Sequence, residues 1–140
     1  MEFVDIVRFL HSWARWLVVI AAAVAFIIML LGFVQRRSYA ASDRRVMTIF
    51  SSLFGVQWLL GLVLLVLLGA QTGFGVRHYW EHLVAQTAAL VVAHLHLRWK
   101  KAGGTAPFRN NLLVLVVVIA LVVIGILALP AGIQWRFSAS

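Results

Sequence analysis

The chain contains four apolar runs, each about as long as the hydrocarbon core of a bilayer is thick. The runs cover residues 10–34, 47–70, 79–97 and 112–129. About 20 apolar residues in an α-helix span that core. The runs are rich in Leu and Val and lack the period-two alternation of membrane β-strands. Since 64% of the 140 residues are hydrophobic, a soluble core of this size has no room for them. The sequence predicts one all-α integral membrane domain with four spanning helices.

The basic residues are concentrated in two short loops, QRRSYAASDRR and LRWKKAGGTAPFRNN. The positive-inside rule predicts that both loops are cytoplasmic, so both termini lie outside. Loops this short favour an up-down-up-down four-helix bundle. Ser42 and Asp43 are predicted to cap the second helix. Asn110 and Asn111 are predicted to cap the fourth.

The composition also restricts the possible functions. The chain has no cysteine, which excludes disulfides, thiolate-held clusters and covalently attached c-type haem. Its net charge is +8, and the charged residues flank the spans. Membrane lipids are therefore the expected partners, and nucleic acid is not. No metalloprotease, nucleophile-elbow or phosphate-loop motif is present. A stand-alone enzyme is therefore not predicted, whereas an electron-transfer subunit remains open.

Ionisable side chains occur in the first and third spans, although inserting each one into the membrane costs about 2.5–3.5 kcal/mol of free energy. His11 and Arg15 lie one turn apart on the first span, and Glu81 and His82 open the third. The two spans are parallel in the predicted topology, so their outer ends share a level. A bis-histidine haem b needs imidazoles from two such helices. This pattern predicts that His11 and His82 bind a haem iron.

Arg15 and Glu81 have two interpretations each. Arg15 would offset a haem propionate or contact a quinone headgroup, or it would be an interfacial anchor among tryptophans. Glu81 would orient a ligand, or it would form an ion pair with Arg15 or Arg77. Depth is a difficulty for the haem model. His11 is 25 residues before Arg36 and His82 is 16 before Arg98, a difference of roughly 13 Å along the helices.

Three further polar side chains lie deeper in the spans or at the inner end. Gln57 is in the middle of the second span and is predicted to link helices or to bind a quinone or haem edge. His96 follows His82 by 14 residues, which is close to four full helical turns. This spacing is similar to that in two-haem cytochromes b, but the first span has Ala25 where a second ligand would stand. His94 is kept as a secondary candidate ligand, and both inner histidines are otherwise assigned to the headgroup region.

Short motifs along most of the chain carry a resemblance. At LHSWARW, FGVQWLLGL, EHL, AHLHLRWKKA and the closing GIQW, the chain resembles small four-helix bacterial membrane proteins sometimes labelled cytochrome b-like. The family pattern has EHP where this chain has EHL, and GIPW where it has GIQW. The resemblance implies a bacterial inner-membrane protein with haem b and a quinone. It implies a role for seven residues: His11, Arg15, Trp16, Gln57, Glu81, His82 and His94.

Two functions remain. The first is a b-type cytochrome-like electron-transfer subunit of a quinone-linked respiratory or photosynthetic complex. The alternative is a cofactor-free accessory subunit that packs in a larger redox complex and positions lipid or quinone. The first requires that His11 and His82 face the bundle interior. The second lets them face lipid headgroups or a neighbouring chain.

Overall fold

The computed structural model describes residues 2–134, which are helical and contain no strand. The main helices are α1 (Phe3–Val34), α2 (Ala41–Thr72), α3 (Arg77–Ala93) and α4 (Ala106–Leu127). A 3₁₀ segment, His94–Trp99, follows α3, and a short 3₁₀ turn, Ala131–Ile133, follows α4. The predicted all-α class is confirmed. Trp135 of the closing GIQW motif lies outside the described residues.

Three helices, α1, α2 and α4, are long and apolar enough to cross a membrane. A helix of 32 residues, the length of α1 and of α2, is about 48 Å long and exceeds the roughly 30 Å hydrocarbon core. Leu17, Ile27 and Leu113 are each more than half exposed on the bundle surface. Soluble monomers rarely expose extended apolar surface. The fold is therefore consistent with a membrane protein.

The third helix differs from the predicted span 79–97. α3 has 17 residues, about 25 Å, and the chain then continues as a six-residue 3₁₀ segment that adds about 12 Å. In this segment the His94 imidazole hydrogen-bonds to the Leu90 carbonyl at 2.9 Å. His96 is buried and its Nε2 lies 3.1 Å from the Ser51 hydroxyl of α2, so its assignment to the headgroup region is wrong. Hydropathy marks the apolar run here but does not register the change of helix type.

The helices pack side by side in chain order, and α4 returns to pack against α1, while diagonal pairs touch little. His82 of α3 meets Gly125 of α4, and Trp99 of the 3₁₀ segment that continues α3 meets Asn111 of α4. Residue numbers rise along α3 as they fall along α4, so these two helices are antiparallel. Met29, near the end of α1, also reaches Asn111 near the start of α4. The end that carries the loops 35–40 and 100–105 is called the basic end below.

A buried hydrogen-bond network closes the basic end. Asn111 is fully buried, and its Oδ1 accepts a hydrogen bond from Trp99 Nε1 at 2.7 Å. Its Nδ2 donates to the Tyr39 hydroxyl at 3.0 Å and lies 3.5 Å from Met29 Sδ. One amide thus connects α1, the loop after it, the 3₁₀ segment and α4. We call these four residues the Asn111 network.

At the helix starts, the predicted capping role is confirmed for Asp43 of α2. It is wrong for Ser42, which lies within the first turn of α2, and for the residues predicted to cap α4. Asp43 is buried and accepts a hydrogen bond from the Ala40 amide at 2.8 Å, which confirms its capping role. The Arg37 guanidinium donates two hydrogen bonds to the same carboxylate, at 2.8 and 2.9 Å. The α4 prediction is wrong, because the helix begins at Ala106, before Asn110 and Asn111. A proline in the first turn suits that earlier start.

Gly32 allows α1 and α4 to approach at the basic end. A Cβ added at Gly32 would lie 2.2 Å from Cε1 of Phe108. The Phe108 ring is fully buried, with its centroid 4.9 Å from the Arg37 guanidinium and 5.2 Å from the Tyr39 ring. The ring has no free direction in which to move, so overpacking is expected to cost about 1–3 kcal/mol. Thermal unfolding in detergent, followed by circular dichroism, should show a lower midpoint for Gly32→Ala.

Gly55→Ala is the matched control. Gly55 lies within α2, and a Cβ there would meet nothing within 4 Å. Alanine is favoured over glycine inside a helix by up to about 1 kcal/mol, so this variant should be neutral or slightly more stable. Equal destabilisation of the two variants would contradict the close contact at Gly32.

Candidate functional site

The candidate site lies at the end of the bundle opposite the basic end, and all four helices contribute to it. We define the histidine cluster as His11 of α1, Gln57 and Gly61 of α2, His82 of α3 and Gly125 of α4. Two of its members, His11 and His82, are the histidines that the sequence singles out as ligands. The other three make close contacts with those histidines or their backbone.

His11 is packed against α2 by contacts of both its ring and its backbone. A Cβ added at Gly61 would lie 2.9 Å from His11 Cε1, so glycine leaves the space that the imidazole occupies. Gln57 Nε2 donates to the His11 carbonyl at 3.0 Å. Among the described residues, His11 Nδ1 and Gln57 Oε1 are buried without a hydrogen-bond partner. A buried polar atom without a hydrogen-bond partner destabilises the folded protein. A ligand that formed hydrogen bonds or coordination bonds with these atoms would therefore bind favourably.

His82 is oriented by α4. Its Nδ1 lies 2.7 Å from the Gly125 carbonyl oxygen, which only accepts hydrogen bonds, so Nδ1 carries the proton. Nε2 then has a free lone pair, the arrangement found in metal-binding histidines whose other nitrogen donates to a carbonyl. α3 and α4 approach closely here, since a Cβ at Gly125 would lie 2.5 Å from Gln86 Nε2 and 3.0 Å from Ala85 Cβ.

The two histidines lie at nearly the same level of the bundle. Trp58 Nε1 donates to Thr87 Oγ1 at 2.9 Å, which aligns α2 with α3. Gly61, which touches the His11 ring, is about 4.5 Å beyond Trp58 along α2. His82 is about 7.5 Å beyond Thr87 in the same direction along α3. The levels therefore differ by about 3 Å rather than 13 Å.

Arg15 lies one helical turn after His11 along α1, nearer to the middle of the membrane span, and is half-buried. Its guanidinium carbon lies 5.5 Å from the centroid of the Trp16 ring. Arg15 is also within electrostatic range of His11. A half-buried guanidinium at this depth is suited to an anionic ligand group beside the histidine cluster.

The other predicted site residues lie away from the cluster. Among the described residues, Glu81 forms its ion pair with Arg77 at 2.5 Å and not with Arg15. The Glu81 and Arg77 side chains are 42% and 89% exposed, so this pair contributes little to stability. His94 is exposed in the 3₁₀ segment towards the basic end. The structure brings His11, His82 and Gln57 together and does not bring Glu81 or His94 to them.

Sequence reasoning missed the groups that orient these residues. The Gly125 carbonyl, which accepts from His82, is a backbone atom in a uniformly apolar helix and carries no side-chain signal. The sequence does not predict the Asn111 network either, because the pattern around Asn111 indicates a helix cap. A polar amide just inside an apolar run was the signal available there.

The site has two imidazoles and no larger ligand set. Among residues 2–134 there is no group of three or more His, Asp or Glu side chains that could hold a metal ion. Comparisons with protein-family models, curated proteins and solved structures found no match for this chain.

Proposed function

We propose that this chain is a b-type cytochrome-like electron-transfer subunit of a bacterial inner membrane. It would work with a quinone-linked respiratory or photosynthetic complex. The observation that carries the proposal is the pairing of His11 with His82. They stand on diagonal helices at nearly one level, and each has a ring nitrogen without a protein hydrogen bond among the described residues. Two such imidazoles are the axial ligand set of a bis-histidine haem b.

The residues present fit a haem. His11 and His82 would hold the iron, and Arg15 would offset the charge of a propionate. Bound haem supplies one-electron transfer at a potential set by its ligands and surroundings. The hydrogen bond from His82 to the Gly125 carbonyl fixes the ring orientation and makes the imidazole a stronger ligand. The buried Gln57 Oε1 is an acceptor suited to the hydroxyl group of a quinol.

The proposal includes an up-down-up-down bundle with the basic end in the cytoplasm and both termini outside. The antiparallel contacts between α3 and α4 support this arrangement. The basic residues of the two loops at that end support the orientation. With this orientation the histidine cluster lies in the outer leaflet, near a redox partner in the membrane or on its outer face.

A second candidate is the cofactor-free accessory subunit of a larger redox complex. A shallow groove of about 700 Å³ runs along α3, with the Arg77–Glu81 ion pair at one end, apolar side chains along the rest, and Leu121 of α4 on one side. Val84, Ala85 and Ala88 line it, and small side chains of this kind let another helix pack closely. This surface favours contact with a neighbouring membrane protein, which the haem proposal also requires.

The absorption spectrum of detergent-purified protein tests the proposal. The chain should be expressed with ample haem and measured oxidised and then dithionite-reduced. We expect a Soret band and sharpened α and β bands on reduction, with about one haem per chain by pyridine haemochrome assay. A featureless spectrum from folded protein would rule out the haem function. The accessory-subunit function would then stand, with co-purifying membrane proteins as its own test.

A further inference from the structure

An open pocket of about 470 Å³ lies at the basic end, on the first two turns of α2. We call it the arginine pocket. It is lined by Ala41, Arg44, Arg45, Thr48 and Ile49. It is far from the histidine cluster and contains none of its residues, so its role is independent of the proposed function.

The protein offsets the charge of the arginine pocket only in part, through the nearby Asp43 carboxylate. The nearest carboxylate in sequence, Asp43, already accepts two hydrogen bonds from Arg37 and one from the Ala40 amide. Among residues 2–134, neither Arg44 nor Arg45 has a carboxylate within ion-pair distance. Two adjacent guanidinium groups on one pocket are suited to an anion that accepts several hydrogen bonds, and phosphate is the group that Arg binds best in this way.

The position of the arginine pocket selects the kind of phosphate. Arg44 and Arg45 come directly before the apolar part of α2, which places them at the level of lipid headgroups. Ile49, one turn further on, is 58% exposed and continues the pocket towards the hydrocarbon. The pocket is thus cationic at one end and apolar at the other. A soluble phosphate would use only the first half of this surface.

We propose that the arginine pocket binds an anionic membrane phospholipid. Arg44 and Arg45 hold the headgroup phosphate, and an acyl chain lies along Ile49. The first turn of α2 adds the favourable end of the helix dipole to the attraction for the phosphate. A bound lipid would offset part of the local positive charge at the start of a long helix and secure this end of the bundle at the membrane surface.

The test measures lipid binding to the full chain purified in detergent, by native mass spectrometry with added phosphatidylglycerol or phosphatidylcholine. We expect wild-type protein to bind phosphatidylglycerol about tenfold more tightly than phosphatidylcholine. The double variant Arg44→Gln/Arg45→Gln should lose about tenfold in affinity for phosphatidylglycerol. Its circular dichroism should match that of wild type, because both side chains extend from the surface.

The matched control is Lys100→Gln/Lys101→Gln, which removes the same charge from the other exposed loop of the basic end. We expect this variant to lose less than about threefold in affinity for phosphatidylglycerol. Equal losses in the two double variants would show general electrostatic attraction and overturn the pocket. Competition by glycerol 3-phosphate at an affinity equal to that of the lipid would overturn the lipid assignment and leave a soluble-phosphate site. If Arg44→Gln/Arg45→Gln does not fold, Arg44→Lys/Arg45→Lys replaces it. That variant keeps the charge but loses the planar guanidinium groups. Full retention of lipid affinity in it would contradict the proposal that the two guanidinium groups hold the headgroup phosphate by hydrogen bonds.

Discussion

Replacing His82 by alanine should abolish the haem absorption bands while the helix content stays unchanged. The substitution removes one of the two proposed haem ligands, and the nearest other histidine of α3, His78, is one turn (about 6 Å) further out. It also removes the hydrogen bond to the Gly125 carbonyl. Because the imidazole is only partly buried, the fold should tolerate the smaller side chain. The measurement is the reduced-minus-oxidised spectrum per folded chain, with circular dichroism as the folding check.

His94→Ala is the matched control for this experiment. It is the same substitution on the same stretch of chain, and His94 is exposed and bonded only within its own turn among the described residues. Its haem content should equal that of wild type. His11→Ala should behave like His82→Ala. Loss of haem in His94→Ala with retention in His82→Ala would move the ligand set to the basic end and refute the proposed pair.

The largest effect on stability is expected at Asn111. Replacing it by leucine keeps the volume but leaves the Trp99 indole N–H and the Tyr39 hydroxyl without their buried partner. Each unsatisfied group costs about 1–3 kcal/mol, so the variant should lose about 3 kcal/mol of unfolding free energy. The measurement is the unfolding midpoint in detergent, followed by circular dichroism or by Trp fluorescence.

Asn110→Leu provides the control for Asn111→Leu. Asn110 is half-buried, and its side chain accepts only a long hydrogen bond of 3.4 Å from Arg109, so its loss should cost less than about 0.5 kcal/mol. A double-mutant cycle with Trp99→Phe isolates the bond itself, since that variant removes the indole donor. We expect a coupling energy of about 1 kcal/mol or more between positions 99 and 111. Additive effects would show that the Asn111 network is not a unit.

The two ends of the bundle differ in how they treat buried polar groups. At the basic end the Asn111 side chain hydrogen-bonds through both its oxygen and its nitrogen, and Asp43 forms an ion pair with Arg37. At the opposite end His11 Nδ1 and Gln57 Oε1 lack partners among the described residues. Buried unsatisfied atoms are rare in native proteins and call for an explanation. Binding of the proposed ligand at that end would provide one, and the two substitutions above compare the two ends.

Much of the fold follows from the sequence, because it depends on properties that are local. Apolar runs of span length are enough to predict an all-α chain, and three of its helices have the length and apolarity that crossing a membrane needs. Asp43 reaches back only three residues, so its capping role was predictable as well. His11 and His82 were identifiable for the same reason, since an ionisable group in an apolar run is costly wherever its helix lies.

The tertiary structure decided the contacts that depend on helix rotation and relative level. Counting residues separated His11 and His82 by roughly 13 Å, but alignment through Trp58 and Thr87 brings them to within about 3 Å of one level. The pairing of His82 with a backbone carbonyl, and of Asn111 with three other segments, has no signature in any single run. Sequence periodicity reports which groups must avoid lipid. Which partner each group finds is settled only when four helices pack, because it depends on the rotation and level of every helix at once.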